Sequence, residues 1–240
     1  MNSLNLQSTV GQWVAQHPQL SRLFESLKID YCCGGGVALE DACRGRNLDP
    51  EQVLRQMEEA AQTPVPEDAG DWTNASLAAL CDNIEQTHHA YLKTELPRLG
   101  AIVDKVAQVH GANHPELREV RTTFVALRNE LEPHMFKEER ILFPAIRQLE
   151  QASSQPAFPF GTVANPIRMM ESEHDHAGDA LDRMRVLTHE YQPPAEACNT
   201  YRAMLEGLRE LEQNMHIHVH KENNILFPRA IELETSLAAV

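Results

Sequence analysis

An eleven-residue pattern occurs twice in the chain, and its spacing constrains the fold more than any other feature. His134-Met135-Phe136-Lys137-Glu138-Glu139-Arg140-Ile141-Leu142-Phe143-Pro144 is matched 84 residues later (134 to 218) by His218-Val219-His220-Lys221-Glu222-Asn223-Asn224-Ile225-Leu226-Phe227-Pro228. The apolar positions around it repeat too. Leu117, Val120, Phe124, Leu127, Leu131, His134, Glu138 and Ile141 advance by alternating steps of three and four. Their counterparts are Tyr201, Met204, Leu208, Leu211, Met215, His218, Glu222 and Ile225. Such a pattern marks one core-facing helix stripe, so both His-x-x-x-Glu sets are expected inside the core. A second pair repeats at an offset of 85 (89 to 174). His89, Leu92, Leu96, Leu99 and Val103 form one stripe. Ile167, Met170, His174, Ala177, Leu181 and Met184 form the other.

These stripes predict an all-α chain with an up-down four-helix bundle over residues 73–236. Its helices are expected near Asn74–Val109, Pro115–Glu150, Pro166–His189 and Pro194–Leu237, with a kink at Pro97. Ahead of it, residues 1–62 read as a small helical domain with helices at Leu4–Ala15, Gln19–Leu27, Val37–Cys43 and Pro50–Ala61. Asp49 is the expected N-cap of the last of these, with Pro50 at its first position. The proline- and acid-containing stretch within 63–72 reads as a linker. No alternating β-branched run suggests a sheet.

The net charge of −14 argues against nucleic acid or an anionic membrane as a partner. No run of about 18 apolar residues is present to span a membrane, and the N-terminus does not resemble a signal peptide. Five cysteines at irregular spacing form no disulfide framework. A cytoplasmic protein is expected.

Each half of the bundle supplies one histidine from its first helix and a His-x-x-x-Glu from its second. Buried carboxylates beside imidazoles need a compensating charge, and two repeated sets aimed at one core call for a shared one. His89, His134, Glu138, His174, His218 and Glu222 are therefore the expected ligands of two metal ions, the two glutamates bridging. Imidazole and carboxylate without thiolate favour iron or manganese over structural zinc. Register selects His89 over His88, and the match to His134 selects His218 over His216 or His220. His88, His176, His216 and His220 are expected to be exposed or to support ligands. Glu130 and Glu173 have no acidic counterpart in the repeat, where Asn214 and His88 stand. They are candidates for a proton or ligand route, for bonding to ligand imidazoles, or for plain surface acids. Cys32 and Cys33, in Asp30-Tyr31-Cys32-Cys33-Gly34-Gly35-Gly36, are candidates for iron, nitric oxide or thiol transfer, or for a turn motif. Cys43, Cys81 and Cys198 read as ordinary core or helix residues.

The Asp30–Gly36 stretch resembles the signature of ScdA-type N-terminal domains. The two eleven-residue segments, with Met170-Glu171-Ser172-Glu173-His174-Asp175, resemble hemerythrin-like di-iron motifs. Together and in this order they resemble the Repair of Iron Centres family over nearly the whole chain. The resemblance implies a non-haem di-iron centre with an oxo or hydroxo bridge on the six residues named above. It also implies induction by nitric oxide or oxidative stress, and restoration of damaged iron–sulfur clusters, with a labile iron as the donated metal. Clients would be damaged iron–sulfur proteins, and small ligands would be nitric oxide or oxygen. The small domain would either dock on the bundle or join two chains as a homodimer. Two other readings compete with repair. A nitric oxide or peroxide reductase would need a reductant, and no second redox site is visible in the sequence to feed it. An oxygen carrier or an oxygen/nitric oxide sensor leaves the Cys32-Cys33 domain without a role, unless that domain is the sensor's output.

Overall fold

The computed structural model describes residues 4–62 and 72–238. They are helical, with no strand among the described residues and two isolated bridges, Thr9 to Ala38 and Phe158 to Gly161. Most of the expected linker lies outside the described residues. Backbone contacts divide the chain into two compact units: Met1–Cys81 with Ile146–Ala157 and His216–Val240, and Asp82–Ala145 with Phe158–Met215.

The first unit begins with short helices: α1 (Val10–Gln16), a 3-10 turn at Pro18–Leu20, α2 (Ser21–Leu27), α3 (Leu39–Gly45) and α4 (Pro50–Ala60). The expected helix start at Leu4 is corrected to Val10. Thr9 stands extended and caps α1 through a capping box with Gln12, which leaves the residues before it outside the helix. Helix α2 stops where Lys28 turns left-handed at φ 57° and Ile29 N–H bonds back to the Phe24 carbonyl. Helix α3 starts at Leu39, two residues later than expected. Asp49 caps α4 by accepting from Glu51 N–H, with Pro50 in the first turn. Val10, Trp13, Leu20, Phe24, Tyr31, Leu39, Cys43 and Met57 form a shared core.

Four long helical runs follow, three of them interrupted by a π turn. The first runs through α5 (Leu77–Asn83), π1 (Ile84–His89) and α6 (Ala90–His110), and Pro97 does not break it. The second runs through α7 (Glu116–Lys137), π2 (Glu138–Leu142) and α8 (Phe143–Gln151). The third is α9 (Ala164–Leu187). The fourth runs through α10 (Asn199–Lys221), π3 (Glu222–Leu226) and α11 (Phe227–Ala238). The fourth begins five residues after Pro194, its expected start: Ala197 N–H first closes a separate turn on the Pro194 carbonyl at 3.0 Å, and Cys198 supplies the first accepting carbonyl of the helix, to Arg202 N–H. Within the second unit α7 packs on both α6 and α9. There Gly207 of α10 leaves no room for a side chain: a Cβ would stand 2.5 Å from Leu99 Cδ2.

The expected stripes are buried throughout, with one exception. Ile141 is 46% exposed, and Leu142 is buried at 1% in its place. The cause is π2. Phe143 N–H bonds to the Glu138 carbonyl, five residues back, so one extra residue enters the turn and the 3-4 register slips. The same bond joins Phe227 to Glu222 in π3, where Ile225 and Leu226 are both buried. Pro144 and Pro228 follow directly. A proline clashes with the carbonyl four residues back in a regular helix, and the widened turn accommodates it.

Candidate metal centre

Two of the three π turns begin at Glu138 and Glu222, and the third ends at His89. Such turns often occur at functional sites. In the second unit, ligand atoms of His134, Glu138 and His174 lie within 4.8 Å of one another. His89 Nε2 and His134 Nε2 each stand 3.3 Å from Glu138 Oε2. His134 Nε2 and His174 Nε2 face each other at 3.1 Å. All four side chains are buried, Glu138 completely. In the first unit, His218 Nε2 lies 3.1 Å from Glu222 Oε1, and both side chains are fully buried.

The neighbouring carboxylates fix which ring nitrogens carry protons. A carboxylate only accepts. His89 Nδ1 donates to Glu139 at 2.9 Å, and His134 Nδ1 donates to Glu173 at 2.8 Å. In the neutral ring this leaves each Nε2 as a lone pair, and both lone pairs point at the Glu138 carboxylate. Electron-rich atoms facing one another at this range repel unless a cation or proton lies among them. An uncompensated buried carboxylate costs of order several kcal/mol, a large share of a stability of roughly 5–15 kcal/mol. The donor set therefore fits a bound cation. Proton donation from a ligand histidine to a carboxylate is also how proteins orient metal ligands.

Each supporting carboxylate is itself held by a lysine. Lys93 Nζ donates to Glu139 at 2.6 Å, and Lys137 donates to Glu173. The hydrogen bond from His134, aided by Lys137, outweighs burial and holds Glu173 down to about 2. Burial works against ionisation of Glu139, but Lys93 and His89 still keep its carboxyl below the usual range.

Of the two acids singled out by broken symmetry, Glu173 joins His134, whereas Glu130 is exposed on α7. Glu139 was not singled out from the sequence. Its signal was the Lys-Glu-Glu run at 137–139, in which the second acid is free to turn to a neighbouring helix. Among the other histidines, His176 is exposed and His216 half-buried. His88 is buried against Asn214 Oδ1 at 3.1 Å. His220 is buried, with Nδ1 3.3 Å from the Tyr31 carbonyl. Asn224 Nδ2 donates to the Tyr31 and Cys32 carbonyls at 3.2 and 2.9 Å. Cys32 is buried and Cys33 half-buried. Cys198 differs from the expected plain helix residue: it is exposed, with its sulfur 3.2 Å from His110 Nε2.

The hemerythrin HHE cation-binding domain model matches residues 82–230, and the ScdA_N model, a domain of unknown function, matches residues 6–61. The iron-sulfur cluster repair protein YtfE of Edwardsiella ictaluri is 39% identical over 222 residues, 92% of this chain and 96% of that protein. The protein of the same name from Escherichia coli O157:H7 is 38% identical over 224 residues, with the same coverage of the two chains. That of Pectobacterium carotovorum subsp. carotovorum is 37% identical over 226 residues, covering 94% of this chain and 97% of that protein.

Proposed function

This chain belongs to the family of iron–sulfur cluster repair proteins with a hemerythrin HHE domain, and from that premise we propose that it is a di-iron protein that restores iron–sulfur clusters damaged by nitrosative or oxidative stress. His89, His134, Glu138, His174, His218 and Glu222 would hold two non-haem irons within a bundle spanning residues 73–236, joined by a linker at 63–72 to the small domain at 1–62. When bound, the iron pair supplies a store of transferable metal and a site for nitric oxide or oxygen. Clients are damaged iron–sulfur proteins, and the compartment is the cytoplasm. Among the described residues, no helix is long and apolar enough to cross a membrane.

One observation carries the reading: the Glu138 carboxylate is faced by Nε2 of His89 and of His134, each already committed as a donor at Nδ1. The protein's own contribution is to hold these groups ready. Glu139 and Glu173 keep the two rings in the tautomer that presents Nε2 inward, and Lys93 and Lys137 keep the two carboxylates ionised and in place. The buried apolar stripe excludes water around them.

The test is metal content by mass spectrometry on protein purified without air. About two irons per chain are expected, as dinuclear bundle sites hold, falling sharply in Glu138→Ala and Glu222→Ala. The loaded protein should then restore an apo-cluster protein while its own iron declines. Zinc alone, or a folded protein without metal, would overturn the di-iron reading. Turnover of nitric oxide or peroxide with a reductant and no loss of iron would favour the reductase instead.

A further inference from the structure

A second group of side chains of metal-ligating types lies in the small helical part of the first unit. Ligand atoms of Asp30, Cys32 and Cys33 lie within 4.8 Å of one another. The Asp30 carboxylate is already oriented: Oδ1 accepts Cys32 N–H at 2.9 Å and the Cys32 thiol at 3.1 Å, and Oδ2 accepts Gly34 N–H at 2.8 Å. The loop carrying these groups is held from both sides. Gly11 N–H donates to the Gly35 carbonyl at 2.8 Å and Val10 N–H to the Val37 carbonyl at 2.9 Å. Asn224 grips the Tyr31 and Cys32 carbonyls. Gly35 is packed so closely on Asn224 that a Cβ would stand 2.1 Å from its Oδ1. A loop clamped in this way presents its side chains without a large ordering cost.

We propose that Asp30, Cys32 and Cys33 form a second metal site, which takes one thiophilic divalent cation, the class to which ferrous iron and zinc belong. Two sulfurs and a carboxylate oxygen are the donors such ions favour. Adjacent cysteines close into a disulfide only with strain, which leaves both sulfurs available as ligands. The Cys32 sulfur and the Asp30 carboxylate already converge on one proton, the thiol donating to Oδ1 at 3.1 Å. A divalent cation resolves that crowding. It displaces the two thiol protons to solvent and bonds the two thiolates and the carboxylate, with no change of oxidation state. Asp30 is exposed and Cys33 half-buried, so the ion enters and leaves from solvent. Three protein ligands leave a position open, the arrangement of an exchanging site rather than a closed structural one. The proposal goes beyond the repair function and does not rest on it.

The test uses the full chain, its iron counted beforehand, titrated with cobalt(II) without air. One equivalent should bind with thiolate-to-cobalt charge-transfer absorption. Cys32→Ser and Cys33→Ser should abolish that band, and Asp30→Asn should weaken binding about 10-fold or more. Cys43→Ser and Cys198→Ser should leave it unchanged. If either serine variant loses its helical circular dichroism, the Asp30→Asn result decides in its place. Cobalt bound with no thiolate band, or a band that survives in Cys32→Ser/Cys33→Ser, would overturn the proposal. Since the bundle iron is counted first, failure of this site and failure of the di-iron reading give different results.

Discussion

Replacing Gly35 by alanine tests whether the cysteine loop is clamped as described. The new Cβ would stand 2.1 Å from Asn224 Oδ1 and 2.6 Å from Asn224 Nδ2, distances at which the amide must move. Moving it breaks both of its hydrogen bonds to the loop, at 3.2 and 2.9 Å. The Tyr31 carbonyl keeps His220 Nδ1 nearby, but the Cys32 carbonyl loses its Asn224 donor. A net hydrogen bond is worth about 0.5–1.5 kcal/mol and a stripped buried acceptor costs about 1–3 kcal/mol, so Gly35→Ala should destabilise the loop by roughly 2–4 kcal/mol. Asn224→Ala removes the same bonds without a clash and should cost a similar amount. The double variant should then cost no more than Asn224→Ala alone, because the side chain that Cβ would strike has gone. Urea unfolding of protein at fixed metal content measures all three, with Trp13, buried in the small core, as the fluorescent reporter. Additive losses in the double variant would refute the reasoning, since they would mean that the two positions act independently.

Three further results are expected. Glu139→Ala and Glu173→Ala should each weaken metal binding about 10- to 100-fold in competition with a chelator, while Glu130→Ala, on the exposed face of α7, leaves it unchanged; equal behaviour of all three would refute the supporting role. The Tyr201 backbone amide and His110 bring the Cys198 thiol down to about 7, so its alkylation rate should rise with pH around a midpoint near that value as the thiolate forms. His110→Ala should move the midpoint upward, and a wild-type midpoint in the ordinary cysteine range would count against the pairing. Thr9→Ala should cost about 1 kcal/mol through loss of the α1 capping box, measured by the same urea unfolding, with Thr9→Ser close to neutral.

The buried stripes and the placement of their polar members were legible because the 3-4 spacing and the repeat reinforced each other. His89, chosen over His88 by register alone, is the ring whose Nε2 faces Glu138. What failed was whatever depends on a local break in that spacing. Ile141 was assigned inward by regular helix geometry, and a π turn has no residue signature strong enough to cancel that rule beforehand. Its trace in the sequence was Pro144, read only as part of the repeat. The helix starts at Leu4 and Pro194 failed because capping by Thr9, and the turn closed from Ala197 to Pro194, set each start locally. Glu139 was missed because hydrogen bonding between helices follows from their rotation about one another, which one chain's periodicity does not report. The roles of His220 and Asn224 were signalled only by contrast, since the repeat puts exposed Phe136 and exposed Arg140 at the matching positions.

The π turns at Glu138 and Glu222 leave the two ends of each helix one residue out of phase. Upstream, the residue spacing answers to the histidine and glutamate pair; downstream, it answers to whatever surface the helix end must cover. Removing Ile141 would close the turn to regular α geometry, with Leu142 taking the inward position that the 3-4 spacing assigns to 141, so that Leu142 and Phe143 stay buried. His134 and Glu138 would keep their separation. Each helix thus behaves like two modules joined by a phase shifter. A residue can be gained or lost at the turn over evolutionary time without asking the inward-facing pair to move.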